Sequence, residues 1–183
     1  MIFAETPLKG AWLIDVELRT DARGAFARTV CRDELIAHGL HADFVQQSIS
    51  WNPTRGTLRG LHFQAHPFAE EKLVRVTRGA IFDVIVDLRK HSATFGTIYS
   101  VELSALNRRQ IFIPKGFAHG FQTIATDTEI LYQMTVPFEP SAARGVLWSD
   151  PTLHVAWPIV VDPSNRAQLS EADSAYPSLG AGR

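Results

Sequence analysis

Cysteine is almost missing from this 183-residue chain, in which Cys31 is the single thiol. One thiol cannot form an intramolecular disulfide, and such cysteine usage is typical of a reducing compartment. The first fifteen residues show no basic leader followed by an apolar run, so we predict no signal peptide. Together these observations predict a cytoplasmic protein.

Long hydrophobic runs and an excess of one charge are also missing. Apolar stretches such as AIFDVIVDL at positions 80–88 are short and interrupted by acids, so we predict no membrane segment. The 18 basic residues nearly balance the 19 acidic ones, for a net charge of −1. We therefore predict no nucleic-acid partner, and an anionic ligand would need a local basic site.

The chain does have enough apolar sequence for one core. Hydrophobic residues make up 45% of it and charged residues 20%, which is ordinary for a globular protein. The usual size of a domain predicts a single domain over residues 1–183. No internal repeat, low-complexity segment or interdomain linker interrupts it.

The hydrophobic pattern mostly has a period of two. Short β-branched and aromatic runs alternate with turn-rich pieces, which predicts an all-β sandwich or barrel rather than βαβ units. Two stretches predict helices, over residues 32–40 and, more weakly, over 166–175 with Ser170 as a cap. Among the runs predicted as strands are residues 74–76, 80–88, 97–104, 109–114, 129–136 and 146–148.

Alternation within a strand predicts which polar side chains face the interior. Tyr132 shares a side with Ile130, so its hydroxyl is expected to point into the barrel. Asp83 falls on the side of Ile81 and Ile85, where an unpaired carboxylate is costly. We therefore expect Asp83 at a rim or facing a cation.

A second polar pair has the wrong spacing for a regular strand. Arg59 and His62 have opposite parity, so a flat strand would send them to opposite faces. They reach one cavity only if Gly60 marks a bulge or a bend.

Short motifs follow one another between about residues 15 and 175. They are DARGAF at 21–26, FVQ at 44–46, LRGLHFQ at 58–64, KLVRV at 72–76, GAIFDVIVDLR at 79–89, TFG at 94–96, IPKGFAHGF at 113–121, LY at 131–132, DP at 150–151, WP at 157–158 and LSEAD at 169–173. In this order and spacing they resemble the dTDP-4-dehydrorhamnose 3,5-epimerase family, sugar-nucleotide enzymes of the cupin class.

The resemblance implies a cupin-type jelly roll with a few short peripheral helices, assembled as a homodimer. The N-terminal strand would cross to the partner subunit, and a C-terminal tail of about residues 165–183 would pack on the barrel. The implied reaction moves protons at C3 and C5 of dTDP-4-dehydro-6-deoxy-D-glucose and gives dTDP-4-dehydro-L-rhamnose. The family implies a site without metal or cofactor, in which a dTDP-4-keto-6-deoxyhexose is the binding partner.

Epimerisation beside a ketone requires a base, an acid on the opposite face, and a cation or donor for the enolate oxygen. His62 suits the base, because neutral imidazole accepts a proton near pH 7; the resemblance pairs it with Asp173. Lys72 suits the oxyanion at O4, and we expect Asp83 to keep this lysine charged. Tyr132 would return the proton from the opposite face.

The other candidates would bind the substrate. A guanidinium pairs with two phosphate oxygens at once, so Arg23 and Arg59 are expected at the diphosphate. Phe26 would reach the partner's site on the exchanged strand. The complete predicted set is Arg23, Phe26, Gln46, Ser50, Arg59, His119 and Phe138.

Several positions depart from the family pattern. Phe138 stands where the family has a second tyrosine, so a ring remains but a hydroxyl is lost. The other departures are Arg28 and Ala143 in place of Glu, Gln47 and Ser48 in place of Asp-Asn, and Glu70 in place of Gln. We expect these changes around the sugar and nucleotide pockets and not among the proton-transfer residues. An epimerase acting at C3 alone is therefore an alternative.

Three further alternatives belong to the same fold. A metal-dependent cupin would gather His62, His66, Glu70 or Glu71, and His119 around a divalent ion. Metal cupins, however, present His-x-His, and the second histidine is replaced here by Gln64. A non-catalytic sugar-binding cupin would be expected to have lost part of the acid–base set, which is complete here. A 3,4-ketoisomerase would match the segment at 62–72 less well.

Overall fold

The structure, a computed structural model, describes residues 1–180, which form thirteen strands and two short α-helices. The strands are β1 (Ile2–Glu5), β2 (Trp12–Asp15), β3 (Arg19–Asp21), β4 (Gly24–Phe26), β5 (Gln46–Asn52), β6 (Leu58–Gln64), β7 (Lys72–Arg78), β8 (Ala80–Asp87), β9 (Ile98–Ser104), β10 (Gln110–Ile113), β11 (Phe117–Thr123), β12 (Thr128–Met134) and β13 (Ala143–Gly145). The helices are α1 (Arg32–Ala37) and α2 (Glu171–Ser174). Neither helix is long and apolar enough to cross a bilayer. The predicted all-β class is confirmed.

Two antiparallel sheets form the body of the fold. One has six strands in the order β1-β2-β10-β7-β12-β5, and the other has five in the order β13-β6-β11-β8-β9. Neighbouring strands are mostly distant in the chain, as expected for a jelly-roll sandwich. The hairpin β3–β4 pairs with neither sheet.

Alternate apolar residues of the two sheets fill the space between them. Val74 and Val76 of β7 meet Ile81 and Ile85 of β8 in one cluster, and Phe121 of β11 packs among them, all buried. Burial of each such side chain contributes about 1.5–3 kcal/mol. The period of two in the sequence therefore builds this core directly.

Peripheral segments cover the outer faces of the sheets. Leu35 of α1 packs on Ile14 and Leu73 of the six-stranded sheet. On the five-stranded sheet, Leu153 and Leu179 of the C-terminal segment pack in a second cluster. Leu179 thus places part of the predicted tail on this sheet, and positions 181–183 of the tail lie outside the described residues.

The helix predictions were too long at both places. The helix predicted over 32–40 ends at Ala37, and the chain then turns at Gly39, whose φ of +70° suits glycine. The helix predicted over 166–175 is reduced to α2. Ser170 caps α2 as expected, because its hydroxyl accepts the backbone N–H of Asp173.

The strand predicted over residues 146–148 was wrong. The strand is β13, three residues earlier, and it pairs with β6. Val146 still exchanges backbone hydrogen bonds with Leu61 of β6, and its side chain packs in the second cluster on the five-stranded sheet.

The bulge expected in β6 is present. His62 pairs with His119, and Arg59 pairs with Phe121. Between these two pairs β6 advances by three residues and β11 by two, so β6 contains one extra residue. The extra residue resets the alternation of side chains, as a β-bulge does.

The bulge depends on two glycines that face each other. Gly60 has a φ of +131°, and a Cβ added there would lie 2.5 Å from the Cα of Gly120. Real side-chain carbons do not approach a backbone so closely, so the two strands require glycine here.

We expect Gly60→Ala to lower the free energy of unfolding by more than Gly24→Ala. The positive φ alone costs a non-glycine residue about 1–3 kcal/mol, and overpacking adds about 1–3 kcal/mol more. Gly24 has a similar φ of +136°, and a Cβ added there has nothing within 4 Å. Gly24→Ala therefore measures the cost of the positive φ without the cost of overpacking. Urea unfolding of both variants measures the difference, and equal losses would contradict the close contact.

Candidate active site

Two adjoining cavities of about 280 and 300 Å³ lie beside β6, β7 and β12. Glu70, Lys72 and Phe138 line both cavities, whereas His62 lines the first and Tyr132 the second. His62 belongs to the five-stranded sheet, and Lys72 and Tyr132 to the six-stranded sheet. The sandwich therefore brings the imidazole, the ammonium and the phenol around one space, with Lys72 in the middle.

The hydrogen bond expected between His62 and Asp173 is formed. Nε2 of His62 lies 2.5 Å from Oδ1 of Asp173, whose side chain is buried. Because a carboxylate only accepts, Nε2 carries the proton and the lone pair of Nδ1 is free in the neutral ring. Within residues 1–180, Nδ1 has no hydrogen-bond partner. This is the arrangement that a general base requires.

Lys72 has a different partner from the one predicted. Its Nζ lies 2.8 Å from Oε1 of Glu70, and both side chains are mostly buried. Gln64 donates to the other carboxylate oxygen of Glu70 at 2.9 Å. The expectation that Asp83 accompanies Lys72 was wrong. Glu70 precedes Lys72 by two residues, and residues two apart in an extended chain lie on the same face, so the spacing alone could have predicted this pair.

This ion pair also corrects the interpretation of the departures from the family pattern. Ser48, Glu70, Phe138 and Ala143 line the two cavities, as expected for pocket positions. Glu70, however, binds Lys72 directly, so the changes do reach the predicted proton-transfer residues. Arg28 lies elsewhere and pairs with Glu34.

Asp83 instead pairs with His119. Oδ2 of Asp83 lies 2.7 Å from Nε2 of His119, and both side chains are buried. Within residues 1–180, Oδ1 of Asp83 has no hydrogen-bond partner. The His119 ring lies edge-on to Tyr132, with centroids 6.0 Å apart, so the pair supports the phenol from inside the barrel.

Tyr132 points inward, as its parity predicts, and packs against the central core. Burial raises the pKa of its hydroxyl well above the usual value, because a phenolate is poorly stabilised without water. The negative charge of Asp83 raises this pKa further, and the positive charge of Arg59 lowers it. The hydroxyl is therefore protonated and able to donate.

Arg59 and Ser50 meet through a residue that the sequence analysis missed. Asn52 is buried, accepts from Nε of Arg59 at 2.8 Å and donates to Oγ of Ser50 at 3.2 Å. No carboxylate within the described chain pairs with Arg59. Its exposed guanidinium is thus held at one nitrogen and open to an anion. The alternation of Gln46, Ser50 and Asn52 along β5 was the available signal.

Gln46 and Phe138 lie together at the second cavity. Oε1 of Gln46 accepts the backbone N–H of Phe138 at 2.8 Å. This bond holds the loop after β12 against β5, and the Phe138 ring is left more than half exposed. The ring is therefore available for stacking on a ligand.

Arg23 and Phe26 do not line the two cavities. Both lie on the β3–β4 hairpin, where the Arg23 side chain is 89% exposed and Phe26 is 73% exposed. Arg23 pairs with Asp21 at 2.6 Å. Neither residue lines the space around Lys72.

The part of the chain that the structure describes offers no ligand set for the metal alternative. No three His, Cys, Asp or Glu side chains within residues 1–180 are grouped to hold an ion. Two of the three histidines of that alternative are instead bound to carboxylates, His62 to Asp173 and His119 to Asp83.

A jelly roll that places a histidine–carboxylate pair, a lysine and a tyrosine around one space is an enzyme of the cupin class built for proton transfer. The family model of dTDP-4-dehydrorhamnose 3,5-epimerase matches residues 5–181. The chain belongs to this family and is a carbohydrate epimerase.

Individual relatives agree with this result over nearly their whole length. The dTDP-4-dehydrorhamnose 3,5-epimerase of Salmonella typhimurium is 40% identical over 182 residues, which are 98% of this chain and 96% of that protein. The crystal structure of the Bacillus anthracis epimerase with TDP and PPi bound has a TM-score of 0.91 at 40% identity, covering 97% of this chain and 98% of that one. The Legionella pneumophila epimerase in complex with dTDP-4-keto-L-rhamnose has a TM-score of 0.91 at 34% identity, covering 100% and 94%. The predicted jelly roll and family are confirmed.

Proposed function

We propose that this chain converts dTDP-4-dehydro-6-deoxy-D-glucose to dTDP-4-dehydro-L-rhamnose by epimerisation at C3 and C5. The observation that carries the proposal is the placement of His62, Lys72 and Tyr132 around adjoining cavities, with Asp173 behind the imidazole. The names of the relatives supply the substrate, and the side-chain geometry supplies a way to process it.

The first step removes the proton from C3. Nδ1 of His62 accepts this proton, and the electron pair of the C–H bond moves into C3–C4 while the carbonyl becomes an enolate oxygen. The ammonium group of Lys72 stabilises that negative oxygen, which is worth more in a site shielded from water. Asp173 stabilises the imidazolium that forms.

The second step returns a proton from the other face. The hydroxyl of Tyr132 gives its proton to C3, the enolate collapses to the ketone, and the configuration at C3 is inverted. Solvent then restores the proton on the phenolate and takes one from the imidazolium, so nothing is oxidised or reduced. The same steps at C5 complete the reaction.

The nucleotide would be bound by the open basic and aromatic groups near the cavities. Arg59, held by Asn52 and free of carboxylates among the described residues, suits a phosphate oxygen. Phe138 offers a ring for the base, and Gln46 and Ser50 offer neutral hydrogen bonds. Arg23 and Phe26 require a second subunit, as follows.

We also propose that the protein is a homodimer in which the N-terminal segment reaches the partner's cavity. Strand β5 is an edge of its sheet, and Ile49 and Trp51 on its outward side are 62% and 55% exposed. An open strand edge with apolar side chains is a ready site for another chain. The unpaired hairpin that carries Arg23 and Phe26 suits such a partner.

A cytoplasmic location stays a prediction that rests on the lone thiol of Cys31. Neither the fold nor the site geometry requires a particular compartment.

We expect solvent deuterium to enter the substrate at C3 and C5 when the protein acts on dTDP-4-dehydro-6-deoxy-D-glucose in D₂O. Because a positioned general base contributes about 10²–10⁴-fold, His62→Asn should lower incorporation at least ~100-fold. The exposed residue His66, four positions along, provides the matched control His66→Asn, which should keep full activity. NMR of the recovered sugar nucleotide measures the label.

The labelled positions decide between the candidates. Label at C3 alone would favour the C3-only epimerase and assign the restriction to Phe138 and its neighbours. No label at either carbon with authentic substrate would contradict an epimerase acting on this sugar.

Mixed dimers test the exchange of the N-terminal segment. A subunit with His62→Asn keeps its hairpin but lacks the base, and a subunit with Arg23→Ala and Phe26→Ala keeps the base but lacks the hairpin contacts. Each pure variant should be nearly inactive, whereas a purified heterodimer should regain activity because one of its two sites is intact. A heterodimer no more active than its parents, or a monomeric 20.3 kDa protein in sedimentation, would contradict the exchange.

A further inference from the structure

Tyr176 lies in the first cavity beside the predicted base. It follows α2 and is three residues beyond Asp173, and it lines the cavity with His62, Lys72 and Phe138. Its ring centroid lies 5.6 Å from the centroid of the His62 imidazole, and the two planes make an angle of 69°. One segment of the tail therefore supplies both the carboxylate and an aromatic ring to the same histidine.

The position of the Tyr176 ring is set by strand β13. A Cβ added to Gly145 would lie 2.5–2.6 Å from three carbons of the ring, so the ring rests directly on the backbone of this glycine. Gly145 is the residue opposite His62 in the β13–β6 ladder. Just beyond, the backbone N–H of Leu147 donates to the carbonyl of Pro177 at 2.9 Å. The ring is thus held between a strand and the imidazole.

One hydrogen bond cannot by itself aim the imidazole. The Cβ–Cγ bond and the hydrogen bond from Nε2 to Asp173 hold opposite ends of the ring, which can still pivot about the line between them, and the His62 side chain is 42% exposed. A second contact on the ring removes the pivot and fixes the direction of Nδ1. The Tyr176 ring is such a contact. Displacements of about 1 Å in a reacting group can cost about 100-fold in rate.

The hydroxyl of Tyr176 stays protonated beside this pair. Burial raises the pKa of Tyr176, and the negative charge of Asp173 raises it further. The residue therefore presents an uncharged ring to the base and does not compete with His62 for the proton of the substrate.

We propose that Tyr176 is a positioning residue for His62, which holds the imidazole so that Nδ1 faces the carbon acid of the substrate. This inference rests on the proposed function. It makes residues 171–177 a functional segment, in which Asp173 fixes one end of the imidazole and Tyr176 fixes its plane.

The test separates this role from simple docking of the tail. Tyr176→Phe keeps the ring, Tyr176→Leu keeps apolar volume without a planar edge, and Tyr176→Ala removes both. Leu179→Ala is the matched control, since Leu179 packs the same tail on the five-stranded sheet but lines neither cavity. Each variant is compared by deuterium incorporation at C3 and by thermal unfolding.

We expect Tyr176→Leu and Tyr176→Ala to lower kcat for incorporation about 10- to 100-fold, with KM close to that of the wild type. Tyr176→Phe should retain the wild-type kcat, and so should Leu179→Ala even where its melting temperature falls. This pattern assigns the effect to the ring at the imidazole.

Three outcomes would overturn the role of Tyr176. They are a wild-type kcat in Tyr176→Leu, a loss in Leu179→Ala as large as in Tyr176→Leu, and a loss in Tyr176→Phe as large as in Tyr176→Ala. In each of them the wild-type protein still incorporates label, so the proposed function stands. A wild-type protein that incorporates no label contradicts the proposed function, and this inference with it.

Discussion

The hydrogen bond between His62 and Asp173 is the interaction on which the rest of the site depends. It joins residues 111 positions apart in the chain, one on a strand of the sandwich and one in the C-terminal tail. The Ser170 cap of helix α2 and the packing of the tail on the five-stranded sheet place Asp173. The fold must therefore be completed to its last turns before the imidazole has a fixed proton and a free lone pair.

The site also depends on a backbone constraint in strand β6. The bulge at Gly60 changes the alternation of β6 between Arg59 and His62, which lie three residues apart on this strand. The close approach of Gly60 to Gly120 leaves no room for a side chain at either position. Across the cavity, the six-stranded sheet contributes Lys72 and Tyr132. The segments of β7 and β12 that carry them pair in register, and the alternation of side chains along these strands points both residues inward.

The sequence predicted the parts of this arrangement that follow from periodicity and from motif resemblance. Alternation predicted the sandwich and the inward direction of Tyr132. The opposite parity of Arg59 and His62 required a bulge or a bend at Gly60 if both were to reach one cavity, and a bulge is found. Alternation tells which face a side chain occupies and says nothing about its neighbour across the barrel. For that reason Asp83 was assigned to Lys72, although its partner His119 lies 36 positions away on the adjacent strand.

Other features were not predicted from the sequence, for different physical reasons. The ends of both helices were missed because caps and turns, such as that at Gly39, shorten a periodic pattern. Tyr176 was missed because its position depends on how an irregular tail folds back onto Gly145, which no period encodes. The pairing of Glu70 with Lys72, by contrast, was readable from a spacing of two and was overlooked. Arg23 and Phe26 are exposed on a hairpin that pairs with neither sheet, so the alternation that builds the core does not encode their contacts.

The geometry places Asp173 so that it holds the proton on Nε2 of His62 and leaves the lone pair of Nδ1 free. Long-range ¹H–¹⁵N correlation spectra of the protein labelled with ¹⁵N-histidine measure this directly, with Asp173→Asn identifying the His62 signals by their change. We expect Nε2 to have the chemical shift of a protonated nitrogen and Nδ1 to have that of an unprotonated one. A His62 ring protonated on Nδ1 with a bare Nε2 would contradict it.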